Sequence, residues 1–242
     1  MNVLLTRPLN QVKPLQALVC AQGYQALLFP TLRIEALKSV PLKERYDVVI
    51  FISANAVKYG LEALSSLDHR HDQIFAVGAA TAKKLNASGF EVDAFPPEKA
   101  SSESLLAMSK VKALSDKEIL IFRGKGGRET LREGLGKNNV VEYIEVYERI
   151  ECAIEAFHQT SLADFLADDR GIITVTSVEN LSTLITMVNK MNANALEAIK
   201  QYPLVVLSER IKTYAQSVGF NRVGVAPQTN DEGLMQAIKS IS

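Results

Sequence analysis

The chain has 242 residues, 47% of them hydrophobic, with 27 basic and 27 acidic side chains. That length suits two domains with a core each, and a zero net charge argues against sequence-independent nucleic-acid binding, which needs clustered positive charge. No stretch has the pattern of a signal peptide or the length of an apolar membrane span, and Cys20 and Cys152 are too few for a disulfide framework, so a reducing cytoplasm is expected.

In chain order, Val3-Leu4-Leu5-Thr6-Arg7 reads as a strand, followed by a helical run, Gly23 and a second extended run over 29–37. Residues 48–52 predict a buried strand that ends in Ser53-Ala54-Asn55 and opens a helix. The next strand ends in the turn Gly78-Ala79-Ala80-Thr81, and a helix start is visible at Ser102 with Glu103. Residues 119–123 predict a further strand, which runs into Arg123-Gly124-Lys125-Gly126-Gly127-Arg128. An extended run over 141–150 follows. Then come a strand ending in Thr176-Ser177, a strand ending in Ser208-Glu209-Arg210, and a last helix opened by Thr229-Asn230-Asp231. Short β-branched runs alternating with helical patterns predict a parallel α/β fold. Their nearly unbroken apolar character predicts sheets flanked by helices on both faces. Gly23, Gly89 and Gly219 each follow a helical run, as C-terminal capping glycines do.

The order also repeats. Arg7 and Arg33 stand at the same interval as Arg123 and Arg149, each pair bracketing a strand, a helix and an extended run. A longer unit over 46–110 returns from Gly171 onward. Two copies of each unit predict two similar lobes with a ligand cleft between them. The units pair either in sequence or in a nested arrangement, with the middle ones inserted. The polar segments 38–45, which contains Pro41, and 150–156 are candidate linkers.

In a parallel sheet the strand-to-helix turns lie at the carboxyl edge, where ligands bind. Ser53, Gly78, Thr81, Thr176, Ser177 and Ser208 are therefore candidate binding residues, although N-capping alone explains a Ser or Thr there. The Gly-rich turn from Arg123 aims backbone N–H groups at an anion. It is not a P-loop, because no Lys-Ser/Thr pair follows, nor a dinucleotide fingerprint, because Glu129 stands where the third glycine belongs. Tyr147 is either a packed strand residue or a proton donor. His69 and His71 read as part of a solvated loop and His158 as a surface residue. No nucleophile–base arrangement stands out.

Taken together, Leu5-Thr6-Arg7-Pro8, Phe51-Ile52-Ser53-Ala54-Asn55-Ala56-Val57, Ala76-Val77-Gly78-Ala79-Ala80-Thr81-Ala82, the Arg123–Arg128 turn and Val146-Tyr147-Glu148-Arg149 resemble the uroporphyrinogen-III synthase family over essentially the whole length. The resemblance implies two α/β lobes joined by a two-stranded ladder. One lobe would hold 1–31 and 152–242 and the other 32–151. It also implies a monomeric enzyme without metal or organic cofactor. The substrate would be hydroxymethylbilane, a linear tetrapyrrole with eight carboxylates. Such an enzyme expels the terminal hydroxyl as water and closes a ring in which the last pyrrole is inverted; unaided, the substrate closes without inversion. Tyr147 would assist hydroxyl departure. Arg7, Ser53, Ala54, Asn55, Gly78, Ala79, Thr81, Arg123, Gly124, Thr176, Ser177 and Ser208 would hold the substrate. Ile211 departs from the pattern, where a threonine is expected. The implied partners are this substrate and, transiently, the preceding pathway enzyme, with no nucleic acid and no membrane. Two rivals share the same turns. One is a noncatalytic two-lobed module for an acidic small molecule. The other is a transferase for a phosphorylated ligand, against which the missing acidic metal-binding motif counts.

Overall fold

The computed structural model describes residues 1–67 and 73–241. The first half of the chain runs β1 (Asn2–Leu5), α1 (Leu9–Ala21), β2 (Gln25–Leu28), β3 (Leu32–Ala36), β4 (Val48–Phe51), α2 (Ala54–Ser65), β5 (Gln73–Ala76), α3 (Ala79–Asn86), α4 (Ser102–Ala107), α5 (Ser109–Lys112), β6 (Glu118–Gly124) and α6 (Thr130–Leu135). The second half runs β7 (Val140–Glu151), α7 (Ala156–Leu166), β8 (Ile172–Val175), α8 (Val178–Met191), α9 (Ala193–Ile199), β9 (Leu204–Val206), α10 (Glu209–Ser217), β10 (Val223–Val225) and α11 (Asp231–Ile241). Two compact units result, Met1–Arg33 with the chain from Ile150 onward, and Ile34–Arg149. The chain passes between them inside β3 and again inside β7.

Each unit is a five-stranded sheet. The first has the order β10-β9-β8-β1-β2, and all its pairs are parallel. Counted within the unit this is the doubly wound order 2-1-3-4-5, whose ligand crevice lies outside the carboxyl ends of the strands where the winding reverses, here between β1 and β8. The second sheet has the order β3-β7-β6-β4-β5, with β7-β6, β6-β4 and β4-β5 parallel, and a bridge from Phe75 to Ala94 continues it past β5. From Ala94 through β5, β4, β6 and β7 it repeats the spatial order of β10, β9, β8, β1 and β2. The repeats in the sequence are thus one sheet made twice, with the halves joined in opposite chain order.

The strands form where the sequence is apolar on both faces, because both faces are covered. Leu4, Ile173 and Leu204 enter one core of the first unit, and Val3, Leu5, Ile172 and Val205 enter the other. In the second unit Val49 and Phe51 pack on one face and Val48 and Ile50 on the opposite face. Gly23, Gly89 and Gly219 have φ of 75°, 88° and 100° and end their helices as expected. Ser101 rather than Ser102 caps α4, accepting from Ser104 N at 3.0 Å.

Two expectations are corrected. The segment 38–45 is no linker between the units. It is a strap on β7, held by Ser39 Oγ donating to Glu145 O at 2.5 Å and by Leu42 N donating to Glu142 Oε1 at 2.9 Å. Tyr46 closes the strap by donating to Glu142, and burial first, then this carboxylate, push its phenol above the usual range. His158 is not on the surface; its exposure is 0%. Its Nδ1 accepts from Glu155 N at 3.1 Å, so the proton belongs on Nε2, which lies 3.0 Å from Pro30 O. The helical pattern of α7 hid this burial, since periodicity gives a face and not what covers it.

Among the described residues, no helix is long and apolar enough to cross a membrane, and no group of three or more His, Cys, Asp or Glu is placed to hold a metal. Both cysteines are free thiols, Cys20 exposed and Cys152 half-buried. Burial, the largest cause, pushes the Cys152 thiol up. Less thiolate is then present at pH 8, and iodoacetamide should label Cys20 well before Cys152. Peptide mass spectrometry over a time course checks this; equal rates would contradict it.

Candidate functional site

The chain at the carboxyl ends of β4, β6 and β7 brings Ser53, Tyr147 and Arg149 together in the second unit. Ser53 follows β4 and caps α2, its Oγ accepting from Ala56 N at 2.9 Å. Tyr147 reaches the same place through an irregularity. Arg123 pairs with Glu145 but Gly124 pairs with Tyr147, so Val146 is one extra residue in β7. This bulge re-aims the strand end. Without it Tyr147 would share the face of Tyr143 and Glu145. With it, Tyr147 joins Ile144 and Val146 on the face of Phe51 and Phe122. The side chain then lies flat across β6. It can do so because Gly124 has no Cβ: one placed there would sit 2.5 Å from Tyr147 Cζ and 2.9 Å from its hydroxyl. Crossing β6 brings Tyr147 Oη to 3.2 Å from Ser53 Oγ. Arg149 Nη2 lies 3.5 Å from the same oxygen, and the ring of Tyr59 packs with centroids 5.9 Å apart. Tyr147 is 3% exposed. Ala54 is exposed and Asn55 half-buried on the first turn of α2.

In the first unit a buried amide organises the corresponding edge. Asn180, 1% exposed on α8, donates through Nδ2 to Thr6 O at 2.9 Å and to Thr31 Oγ1 at 2.5 Å. Its Oδ1 accepts from Thr176 N at 3.2 Å and lies 2.7 Å from Thr6 Oγ1. That hydroxyl is also 2.7 Å from Thr174 O and, with one proton, serves one acceptor at a time. The amide thereby ties together the chain after β1, β2 and β8. Sequence reading missed Asn180, Thr6 and Thr31; an apolar helix interrupted by a buried-face Asn is the signal that was available. Ser177 caps α8, accepting from Asn180 N at 3.0 Å. Arg7 is bound at 2.6 Å to Asp231, at the start of α11. Ser208 is extended at the N-cap of α10 and makes no side-chain cap bond, while Ile211 packs into the core.

The other predicted residues divide. Gly78 and Thr81 are buried and Ala79 is exposed at the start of α3. The Gly-rich turn pairs its charges within its own unit. Arg123, 3% exposed, donates to Glu129 at 2.9 Å and to Gly124 O at 3.2 Å, and its guanidinium lies 4.3 Å from the Tyr143 ring centroid. Lys125 pairs with Glu148 and Arg128 with Glu103. Lys125 N donates to Tyr147 O at 2.7 Å and Gly126 N to Glu145 Oε1 at 3.2 Å. Two amides of the turn are therefore already bonded, and three of its cations are matched by carboxylates of the same unit. The expectation on His69 and His71 lies outside the described residues.

A doubly wound parallel sheet, and a second sheet that repeats its spatial order with β3 added at the edge, each with polar groups gathered at the carboxyl ends of its parallel strands, define a two-unit α/β protein of the kind that binds small molecules there. Residues 13–236 match the family model described as Uroporphyrinogen-III synthase HemD. The chain belongs to the uroporphyrinogen-III synthase family, the cyclising lyases of tetrapyrrole synthesis. The uroporphyrinogen-III synthase of Salmonella typhimurium is 29% identical over 255 residues, covering 99% of this chain and 100% of its own length. That of Escherichia coli is 26% identical over 250 residues, with 99% and 100% covered. The fold is similar to that of the uroporphyrinogen-III synthetase crystal structure from Helicobacter pylori 26695, with a TM-score of 0.68 at 16% identity, over 100% of this chain and 99% of the other.

Proposed function

We propose that the protein closes hydroxymethylbilane to uroporphyrinogen III, releasing water and inverting the last pyrrole, without metal or organic cofactor. The observation that carries this reading is the Tyr147 hydroxyl, seated over Gly124 and 3.2 Å from Ser53 Oγ, in a chain that matches the family over 13–236. Little more than a proton donor is required. The pyrrole nitrogen's lone pair pushes out the terminal hydroxyl, and a phenol supplies the proton with which that hydroxyl leaves as water. The remaining task is to hold the reacting ends in the inverting geometry. Substrate carboxylates would be held by the turns at Ser53-Ala54-Asn55, Gly78-Ala79, Thr176-Ser177 and Ser208, where helices α2, α3, α8 and α10 begin. Gly124 serves instead by giving Tyr147 its seat, and Arg123 by bracing the turn through Glu129 and Gly124 O. Arg7 contributes by fixing the start of α11 through Asp231. The same reading takes the protein to be cytoplasmic and monomeric. A substrate that closes wrongly when left free is best received directly from the enzyme that makes it.

The test is a product assay: mix the protein with freshly generated hydroxymethylbilane, oxidise, and resolve the type I and type III isomers. Type III product should predominate and be unaffected by a chelator. Type I alone, or activity lost to a chelator and restored by metal, would overturn the reading.

A further inference from the structure

We infer that Ser53 works in the reaction through Tyr147, as a positioning residue whose hydroxyl orients the tyrosine O–H and then donates to the phenolate after the proton has left. This rests on the function proposed above. Ser53 Oγ accepts one hydrogen bond from Ala56 N at 2.9 Å and lies 3.2 Å from Tyr147 Oη. A serine hydroxyl has one proton and two lone pairs. Ala56 occupies one lone pair, which leaves the other lone pair and the proton for Tyr147. The contact can therefore run in either direction by rotation of one O–H bond.

The chemistry needs both directions. In the resting site the tyrosine O–H can rest on Ser53. With substrate bound it turns to the terminal hydroxyl, and the serine proton turns to Tyr147 Oη. The C–O bond then breaks, its electron pair leaving with the oxygen, which takes the tyrosine proton and departs as water. The pyrrole nitrogen's lone pair fills the electron deficit at the carbon. Tyr147 now carries a negative charge facing Ser53 O–H and, at 3.5 Å, Arg149 Nη2. Donors already in place when charge develops stabilise it without reorganisation. The electron-deficient carbon then bonds to the substituted α-carbon of the last pyrrole, and that ring's old bridge bond breaks. The freed bridge carbon bonds to the ring's other α-carbon, which releases the proton that the phenolate recovers. Only water is lost. Ser53 suits this role because it cannot drift: it caps a 12-residue helix, and Ile52 N, beside it, donates to Phe122 O at 3.3 Å.

Capping and positioning must be separated, and a double-mutant cycle does so. Turnover and Michaelis constants for type III product would be measured for Ser53→Ala, Ser53→Gly and Ser53→Thr, each alone and with Tyr147→Phe, with thermal stability recorded in parallel. Gly retains most of the capping without the hydroxyl. Ser53→Ala and Ser53→Gly should each lower kcat roughly 10-fold, the worth of one hydrogen bond to a charged group, with KM nearly unchanged. Ser53→Thr should recover most of that loss. With Tyr147→Phe present, Ser53→Ala should add less than about two-fold, because the two residues act as a unit. Equal losses in both backgrounds, a rise in KM alone, or no loss would overturn the inference. Type III product from the unsubstituted protein with an additive cycle would sink the role of Ser53 only. No type III product would sink the proposed function as well.

Discussion

Asn180→Leu should be among the most destabilising single changes in the first unit, at about 3–5 kcal/mol. The amide is fully employed: two donors go to Thr6 O and Thr31 Oγ1, and its oxygen serves Thr176 N and Thr6 Oγ1. Leucine has about the same size but leaves these groups unpaired in a buried place. Each such group costs roughly 1–3 kcal/mol, which puts the change in the range reserved for broken buried networks. At roughly 2–4 °C per kcal/mol for a chain of this length, the melting point should fall by about 10 °C. Thr186→Ala, at an exposed site on the same helix, should change little. Two units need not unfold together, so hydrogen exchange is the better reporter. Peptides from β1, β2 and β8 should lose protection, while those from β4 and β6 should keep it. A loss under about 1 kcal/mol would mean that water replaces the amide.

Gly124→Ala is expected to lower turnover as far as Tyr147→Phe does, roughly 10- to 100-fold, the usual share of a general acid. The two act on the same atom from different directions. Phenylalanine deletes the hydroxyl. Alanine at 124 would meet Tyr147 Cζ at 2.5 Å, Cε2 at 2.7 Å and the hydroxyl at 2.9 Å, so the ring must lift from the strand. The tyrosine is buried and packed by Tyr59 and Arg149, so it has no cheap alternative position. Overpacking of this kind also costs stability, about 1–3 kcal/mol. Circular dichroism and melting should show a folded protein, and steady-state kinetics should show kcat falling more than KM rises. Combining both substitutions should be scarcely worse than either. Full turnover in folded Gly124→Ala would separate the hydroxyl's position from its function.

Much of the architecture is legible in the sequence for a simple reason. A parallel sheet covered on both faces must be apolar throughout, so Val48-Val49-Ile50-Phe51 and Ile119-Leu120-Ile121-Phe122 read as strands without alternation. Their ends are marked by residues with local jobs. Ser53 and Ser177 cap the helices that follow, and Gly23, Gly89 and Gly219 take the positive φ that ends the helices before them. The turns at the strands' carboxyl ends could therefore be picked out individually.

How those turns are equipped is another matter. The Gly-rich turn reads as an anion site, but its carboxylate partners Glu103, Glu145 and Glu148 come from α4 and β7, and only folding brings them to its cations. His158 looks solvent-facing until Pro30 and Phe29, far away in sequence, close over it. Composition, spacing and local capping thus determined the fold class, the doubled strand-helix pattern and the turns to examine, while the quoted motifs in their order carried the family resemblance. Tertiary structure alone decided that Val146 is an extra residue in β7, that Tyr147 therefore changes face, and that it crosses Gly124 to meet Ser53. The physical reason is one of range. Periodicity and capping depend on neighbours within a few residues, whereas register, bulges and shared hydrogen bonds depend on which strands lie side by side.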